Sequence, residues 1–285
     1  MVREKETSFI GPVENHRGRE KGFIVYPVYS RRSGGLSLGI NLFPEKKTCS
    51  FDCPYCEVFP FPAGPEFSAE QMERELRMAI AGAAENNIPV KDICFSGNGE
   101  PSLSPCFPEA LEKAGAIRNK TAGGAELVLI TNGTGLLNPG LFSLLRGAAK
   151  GGLSLAVWLK LDAGTPGWYK KMNRCEIPFD TLTAKIREFA ACAEFTIQTM
   201  LCAVEGEAPP PEEARAWEAL VAALAAAGGG KSGRIRKIQL YGKARQAPED
   251  PVTAPLPEEY LEERASSLRA ALAAITSPPP VEVYP

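Results

Sequence analysis

The sequence predicts an α/β protein built on a parallel sheet, and three observations predict it. Six short runs rich in apolar and β-branched residues alternate with longer segments of helical periodicity; the runs are 36–43, 92–96, 126–131, 154–162, 194–202 and 235–241. The runs around Val128, Ala156 and Ile197 are almost continuously apolar, as expected of strands covered on both faces. Parallel neighbours need crossovers long enough to hold a helix, and the intervening segments supply them. Six such units fit either an open doubly wound sheet or an incomplete barrel, and the pattern alone admits both.

Each element has its own local signal. Residues 1–35 are polar apart from the run 23–29, which reads as an edge strand because Pro27 cannot donate to a ladder. Ser68 and Gln71 form a capping box that opens a helix over 69–84, with Met72, Leu76 and Ile80 on one face. Asp180 is the expected N-cap of a helix running through Ala191. Pro211 with Glu212 and Glu213 opens another, which ends before Gly228. A last helix over 257–275 is closed by Ser277 and the three prolines that follow it.

Composition narrows the function classes. The 285 residues carry 32 basic and 34 acidic groups, a net charge of −2, with 44% hydrophobic and 23% charged residues. These values exclude a disordered, collagen-like or coiled-coil chain and argue against a general nucleic-acid coat. The amino-terminal residues 1–22 lack the apolar core of a secretory signal. No stretch approaches the ~20 apolar residues of a membrane helix. The expectation is a cytoplasmic protein with no membrane partner.

Eight cysteines stand against a single histidine, His16. In a reducing compartment clustered cysteines point to metal or catalysis rather than disulfides. With one histidine, mixed Cys/His zinc sites and histidine-dependent triads have almost no raw material. The cluster is Cys49, Cys53 and Cys56, a C-x3-C-x2-C arrangement directly after the first of the six runs. A closed zinc site takes four ligands, and a complete [4Fe–4S] site takes four thiolates. Three leave one metal position open for a substrate or cofactor. A structural zinc knuckle completed by a distant cysteine is the plainer alternative.

The spacing resembles the signature of the radical S-adenosylmethionine (radical SAM) superfamily. The resemblance implies a partial (β/α)6 TIM-like barrel with short N-terminal and C-terminal extensions, its cysteine loop following the first strand. It implies that Cys49, Cys53 and Cys56 are metal ligands and the catalytic centre, holding a [4Fe–4S] cluster whose fourth iron is chelated by S-adenosylmethionine. Tyr55 matches the aromatic position that packs near the adenine in that family. Gly97-Asn98-Gly99-Glu100 stands where the family has a Gly-Gly-Glu motif binding the cofactor's amino group; Asn98 is a departure. Glycines there allow close backbone approach, and Glu100 offers an acceptor for an ammonium.

Asn132 follows the third run and points to the same mouth. Lys160 and Asp162 share one face of the fourth run. The resemblance makes them contacts to the cofactor's ribose or carboxylate; a buried structural pair is the alternative. Gln198 on the fifth run, and Gln239 and Tyr241 on the sixth, are polar residues in apolar strands and together suggest a ligand-lined interior, although any one of them is as readily a hydrogen-bonded core residue. Cys94 and Cys192 read as small buried hydrophobes. Cys175 and Cys202 fall near the expected mouth, where substrate contact and inert packing are both open.

Residues 39–49, 96–101 and 238–241 resemble a wyosine-synthase-like group of Fe–S oxidoreductases, and the likeness covers most of 23–245. Residues 1–48 lack the upstream cysteines of that group's archaeal members, so the wyosine reaction itself is not implied. The expected organisation is an N-terminal extension with an edge strand (1–35), the barrel core (36–245), and a C-terminal linker and helix packed on the core (246–285). The expected activity is reductive cleavage of S-adenosylmethionine to a 5′-deoxyadenosyl radical that takes hydrogen from a small-molecule or nucleoside substrate. A flavodoxin- or ferredoxin-type electron donor is the implied partner. RNA stays open as a substrate without support from the charge, and the sequence says nothing of oligomeric state. The alternatives are a non-catalytic binding module stabilised by zinc or an Fe–S cluster, and an activating enzyme for a glycyl-radical protein.

Overall fold

The structure is a computed structural model that describes residues 23–151, 153–227 and 235–285. His16, the rest of 1–22 and the glycines from Gly228 lie outside the described residues. The strands follow one another in space as they do in sequence. β1 (Val25–Ser30) pairs antiparallel with β2 (Gly35–Asn41). From β2 onward, β3 (Val90–Ser96), β4 (Glu126–Thr131), β5 (Leu155–Lys160), β6 (Phe195–Val204) and β7 (Ile235–Gly242) pair parallel in that order. An order without reversal keeps every right-handed crossover on one face of the sheet. The sheet therefore curls, and the architecture is a partial (β/α)6 TIM-like barrel rather than a doubly wound sheet.

The helices lie between the strands as the sequence requires. α1 (Ala69–Glu85) starts at Ser68, whose side chain accepts from Gln71 N, and buries Met72, Leu76, Ala79 and Ile80. Buried Glu75 on the same helix takes both Ile24 N and Val25 N at 2.8 Å, fixing the start of β1. β1 is the edge expected of a strand with a proline, and Pro27 stands opposite Leu38. α2 (Phe107–Thr121) and α3 (Pro139–Lys150) follow β3 and β4. The short α4 (Pro166–Met172) was not foreseen, although Thr165-Pro166 is a plain start signal and Thr165 caps Trp168 N at 3.2 Å.

Three sequence expectations are corrected. α5 (Phe179–Ala190) takes Pro178 as its N-cap, so Asp180 sits inside the first turn, where its charge suits the helix dipole, instead of capping it. α6 (Pro211–Ala226) is as expected, but α7 spans Glu258–Leu272, shorter than 257–275. The C-terminal segment also holds two strands: β8 (Thr253–Pro255) pairs antiparallel with β6, and β9 (Val281–Tyr284) pairs parallel with β7.

Two apolar layers result. The large one fills the space between sheet and helices, with Phe95, Phe107, Phe189 and Phe195 fully buried. The small one lies on the concave side, where Cys94, Val128 and Ala156 form one row across β3, β4 and β5 under Trp158. The sheet curls far enough for its ends to meet: Arg32, in the turn after β1, stacks 4.7 Å over the Tyr241 ring of β7 and takes a hydrogen bond from Tyr284 of β9. No helix among the described residues is long and apolar enough to cross a membrane.

Candidate functional site

The cysteine loop leaves the C-terminal end of β2 and is stitched to the segment that follows β3. Thr48 bridges to Gly99 in parallel register, with Thr48 N donating to Asn98 O and Glu100 N to Thr48 O. The contact is so close that a Cβ on Gly99 would lie 2.0 Å from Thr48 O. Gly97 has a φ of +116° and packs against the Asn41 side chain, so it too must be glycine. Asn41 Oδ1 accepts from Phe43 N and Asn98 N, both at 3.1 Å, so one side chain sets both loops.

Cys49, Cys53 and Cys56 all line one cavity of about 310 Å³ at this strand-end mouth. Each of the first two sulfurs has an amide beside it. Asn132 Nδ2 lies 3.7 Å from Cys49 Sγ and 2.9 Å from Ser50 Oγ. Asn173 Nδ2 lies 3.6 Å from Cys53 Sγ, and Phe51 N donates to Cys49 Sγ at 3.4 Å. Burial, and after it the Asp162 carboxylate, pushes the Cys53 thiol up to about 12. Among the described residues no three His, Cys, Asp or Glu side chains are arranged to hold a metal ion.

Glu100 reaches the cavity but is largely committed to the protein. Its Oε1 accepts from Ser102 N, Ser102 Oγ and Thr131 Oγ1, and its Oε2 from Asn132 N at 2.6 Å. Burial raises its pKa, and those donors work against the rise. The bonding leaves one lone pair, on Oε2, for a bound cation.

Lys160 and Asp162 form a buried pair at the end of β5, with Nζ to Oδ2 at 3.4 Å. Lys160 also donates to Tyr241 Oη and lies 5.0 Å from the centroids of both the Tyr55 and Tyr241 rings. Burial works against the Lys160 ammonium, but Asp162 and then Tyr241 outweigh it and its pKa rises. Asp162 stands behind the wall, where it accepts from Tyr55 Oη at 2.5 Å, Met200 N at 2.9 Å and Asn173 Nδ2 at 3.1 Å. It orders the groups that face the cavity.

The structure therefore brings Tyr55, Gly97, Gly99, Glu100, Asn132, Lys160 and Tyr241 to the cavity wall with the three cysteines. Asn98, Asp162, Gln198 and Gln239 do not line it. Asn98 donates from Nδ2 to Phe43 O. Gln198 and Gln239 are fully buried and bond each other at 2.7 Å. Cys94 is buried yet reaches the cavity floor. Cys202 packs 4.0 Å from Met172 Sδ, and Cys175 lines a separate surface hollow beside Tyr169.

Sequence reasoning missed Asn173 and two cations of the wall, Arg32 and Lys47; Arg245, in the proline-containing linker that the sequence sets over the mouth, lines the wall as well. All lie in turns or loops with no periodicity to mark a face. Lys47 pairs with Asp52 at 3.8 Å, and Arg245 with Glu57 at 3.1 Å, which ties the segment after β7 to the cysteine loop.

No family model matches the chain. A UPF0026 protein of Helicobacter pylori is 35% identical over 119 residues, 40% of this chain and 35% of that protein. A UPF0026 protein of Synechocystis is 31% identical over 185 residues, 61% of this chain and 63% of that protein. The chain thus matches about a third of the length of the first relative and under two thirds of the second. Among solved structures, a radical SAM methyltransferase from Sphaerobacter thermophilus superposes with a TM-score of 0.62 at 14% identity, over 87% of this chain and 66% of that one. Streptococcus suis SuiB bound to S-adenosylmethionine gives 0.62 at 12%, over 87% and 50%. The fold is that of radical SAM enzymes.

Proposed function

We propose that this chain is a radical SAM enzyme that cleaves S-adenosylmethionine reductively and takes a hydrogen atom from a small-molecule or nucleoside substrate with the 5′-deoxyadenosyl radical. The observation that carries the proposal is one cavity, at the C-terminal mouth of a parallel half-barrel, lined by Cys49, Cys53, Cys56, Tyr55, Gly97, Gly99 and Lys160 together. The chemistry of the donor set suits a [4Fe–4S] cluster, although the three sulfurs are not drawn together around a single ion. The set is all thiol, it holds three ligands where a cofactor takes the fourth position, and two of the sulfurs face amide N–H donors of the kind that tune such ligands. When bound and reduced, the cluster supplies the single electron that splits the sulfonium.

The chain's own residues do the rest. Cys49, Cys53 and Cys56 would hold the cluster. Gly97 and Gly99 put backbone on the cavity wall while their missing side chains make room for Asn41 and Thr48, and the free lone pair of Glu100 suits an ammonium. Lys160, held between two phenol rings by Asp162, offers a cation and Tyr55 an aromatic face. The barrel floor of Cys94, Ile130 and Trp158 is apolar and keeps water from the reacting carbon. A flavodoxin- or ferredoxin-type donor would deliver the electron.

The test is anaerobic reconstitution with iron and sulfide, followed by dithionite and S-adenosylmethionine. The expected result is a brown protein with about four irons per chain that releases 5′-deoxyadenosine and methionine. Cys→Ser changes at 49, 53 and 56 abolish both. A colourless zinc protein, or a cluster that leaves S-adenosylmethionine intact, would overturn the proposal in favour of a binding module.

A further inference from the structure

The cations around the cavity are not matched one for one with carboxylates, although Glu57 and Glu100 also line it. Four cations line the wall: Arg32, Lys47, Lys160 and Arg245. Lys160, Lys47 and Arg245 each have a carboxylate within ion-pair distance, in Asp162, Asp52 and Glu57. Arg32 has none among the described residues. Its guanidinium carbon lies 4.7 Å from the Tyr241 ring centroid, and among the described residues no hydrogen bond engages its N–H groups. Asp92 on β3 is a carboxylate near Arg32 but beyond ion-pair distance; its Oδ1 accepts from Ser37 Oγ at 2.5 Å, and its buried Oδ2 has no hydrogen-bond partner among the described residues. Arg31 stands close enough to Arg32 and Arg245 that, after burial, their like charges lower its pKa, with Glu57 alone opposing. Three guanidiniums thus gather at the seam where β1 meets β7 and β9, with two carboxylates near them, Glu57 and Asp92; Arg31 also donates to Pro285 O.

We propose that Arg32 and Arg245 form an anion subsite, and that the substrate carries a carboxylate or phosphate which this subsite grips while the reacting carbon lies toward the cysteines. The inference rests on the function proposed above, and it names the substrate class of the same cavity. A planar fork backed by an aromatic face is pre-organised for a two-oxygen acceptor. A gathered, under-neutralised set of arginines is the arrangement an incoming anion relieves. The subsite sits on the seam of the open barrel, beside the turn after β1, so a substrate can enter from the side with its anion last to leave water.

The experiment uses the full chain at low ionic strength, with calorimetric titration of inorganic phosphate, citrate and, separately, S-adenosylmethionine. Wild type is expected to bind phosphate or citrate with an affinity that falls as salt is added. Arg32→Gln weakens that binding at least tenfold, Arg245→Gln weakens it as well, and Arg32→Lys, which keeps the charge but loses the fork, recovers part of it. S-adenosylmethionine affinity moves less than threefold in the same proteins. Neither anion binding to wild type, or anion binding unchanged in Arg32→Gln, overturns the proposal. So does a parallel loss of S-adenosylmethionine affinity with competition between it and phosphate, because the arginines would then serve the cofactor's own carboxylate. If Arg32→Gln does not fold, as judged by its melting curve, Arg32→Lys, Arg245→Gln and the salt dependence of wild type decide the matter. Failure of the radical SAM reading shows separately, as a wild type that binds no S-adenosylmethionine.

Discussion

Asn173 donates its Nδ2 hydrogen to Cys53 Sγ at 3.6 Å, and the same amide reaches Asp162 Oδ2 at 3.1 Å. A residue just past α4 thus ties one cysteine of the loop to the carboxylate that orders Lys160 and Tyr55. Asn132 serves Cys49 from the end of β4. The two amides brace the cysteine loop from two different crossovers.

With the proposed [4Fe–4S] cluster in place, these amides should tune its redox potential. An N–H pointed at a thiolate favours the more negative, reduced state, so its loss lowers the potential. A hydrogen bond worth about 0.5–1.5 kcal/mol corresponds to roughly 20–60 mV for one electron. Asn173→Ala and Asn132→Ala should each lower the midpoint by that order in a titration followed by electron paramagnetic resonance. Midpoints equal to wild type in both variants would mean that the amides only hold the loop.

Asp162→Asn should cost stability as well as activity. The change leaves the Lys160 ammonium, whose side chain is 16% exposed, without its carboxylate. Breaking a buried pair from one side costs about 3–5 kcal/mol, read as a shift in the urea midpoint. Lys160 has a raised pKa in the folded chain, so its contribution is complete below the ordinary lysine value of 10.5 and disappears as the pH climbs through the higher folded value. The gap between variant and wild type should hold from pH 6 to 9 and narrow only above pH 10.5. A gap that closes near neutrality would sink the assignment.

Cys53 should be the reluctant thiol of the metal-free chain. Its pKa of about 12, against an ordinary 9.0, leaves a thiolate fraction at pH 8 that is roughly a thousandfold smaller. Carbamidomethylation at that position should be slow at pH 8 and still accelerating at pH 11, as read by peptide mass spectrometry. Asp162→Asn, which removes a charge that helps hold the proton on, should speed it. Fast labelling of Cys53 at pH 8 in the wild type would contradict the burial that the fold imposes.

The parallel core was legible because its strands are apolar runs separated by long segments of helical periodicity. β8 and β9 were not: Thr253-Ala254-Pro255 is three residues ending in proline, and Val281–Tyr284 is four residues behind a proline run, so only long-range pairing makes either a strand. Within the site, Tyr55, Lys160 and Tyr241 could be anticipated because loop position and strand alternation place them. The same alternation placed Gln198 and Gln239 on the concave side but could not show that Gln198 Nε2 donates to Gln239 Oε1 at 2.7 Å, away from the cavity wall. Arg32 and Asn173 left no mark, since a turn and a loop acquire their neighbours only when the sheet has curled.

Gly99→Ala should separate loop placement from chain stability. Its Cβ would meet backbone, Thr48 O at 2.0 Å and Thr48 C at 2.7 Å, so the cysteine loop itself must move. Overpacking of this kind costs about 1–3 kcal/mol, and the displaced loop should retain little iron after reconstitution. Gly124→Ala, where an added Cβ meets nothing within 4 Å, is the control and should stay within about 0.5 kcal/mol of wild type. Full iron loading in Gly99→Ala would show that the bridge between Thr48 and Gly99 does not position the cysteines.

Glu75→Ala should loosen the seam from a distance. Glu75 Oε2 accepts from Ile24 N and Val25 N, two residues with no solvent exposure, while Oε1 accepts from Gln71 Nε2 at 2.7 Å. Removing a buried acceptor costs about 1–3 kcal/mol for each donor it served, so a loss of at least about 2 kcal/mol is expected from two such donors. The loss should be local first, because α1 keeps its cap and its apolar face while β1, an edge strand, keeps its pairing with β2 and the Tyr26–Ser96 hydroxyl bond but loses its tie to α1. Hydrogen exchange should therefore quicken at residues 24–30 before it quickens in β4 or β5. Glu75→Gln retains one acceptor oxygen and should recover much of the protection. Since Arg32 sits in the turn that β1 leads into, Glu75→Ala should also weaken phosphate binding while leaving the three cysteines in place. Uniform exchange across the sheet would mean that β1 does not open on its own.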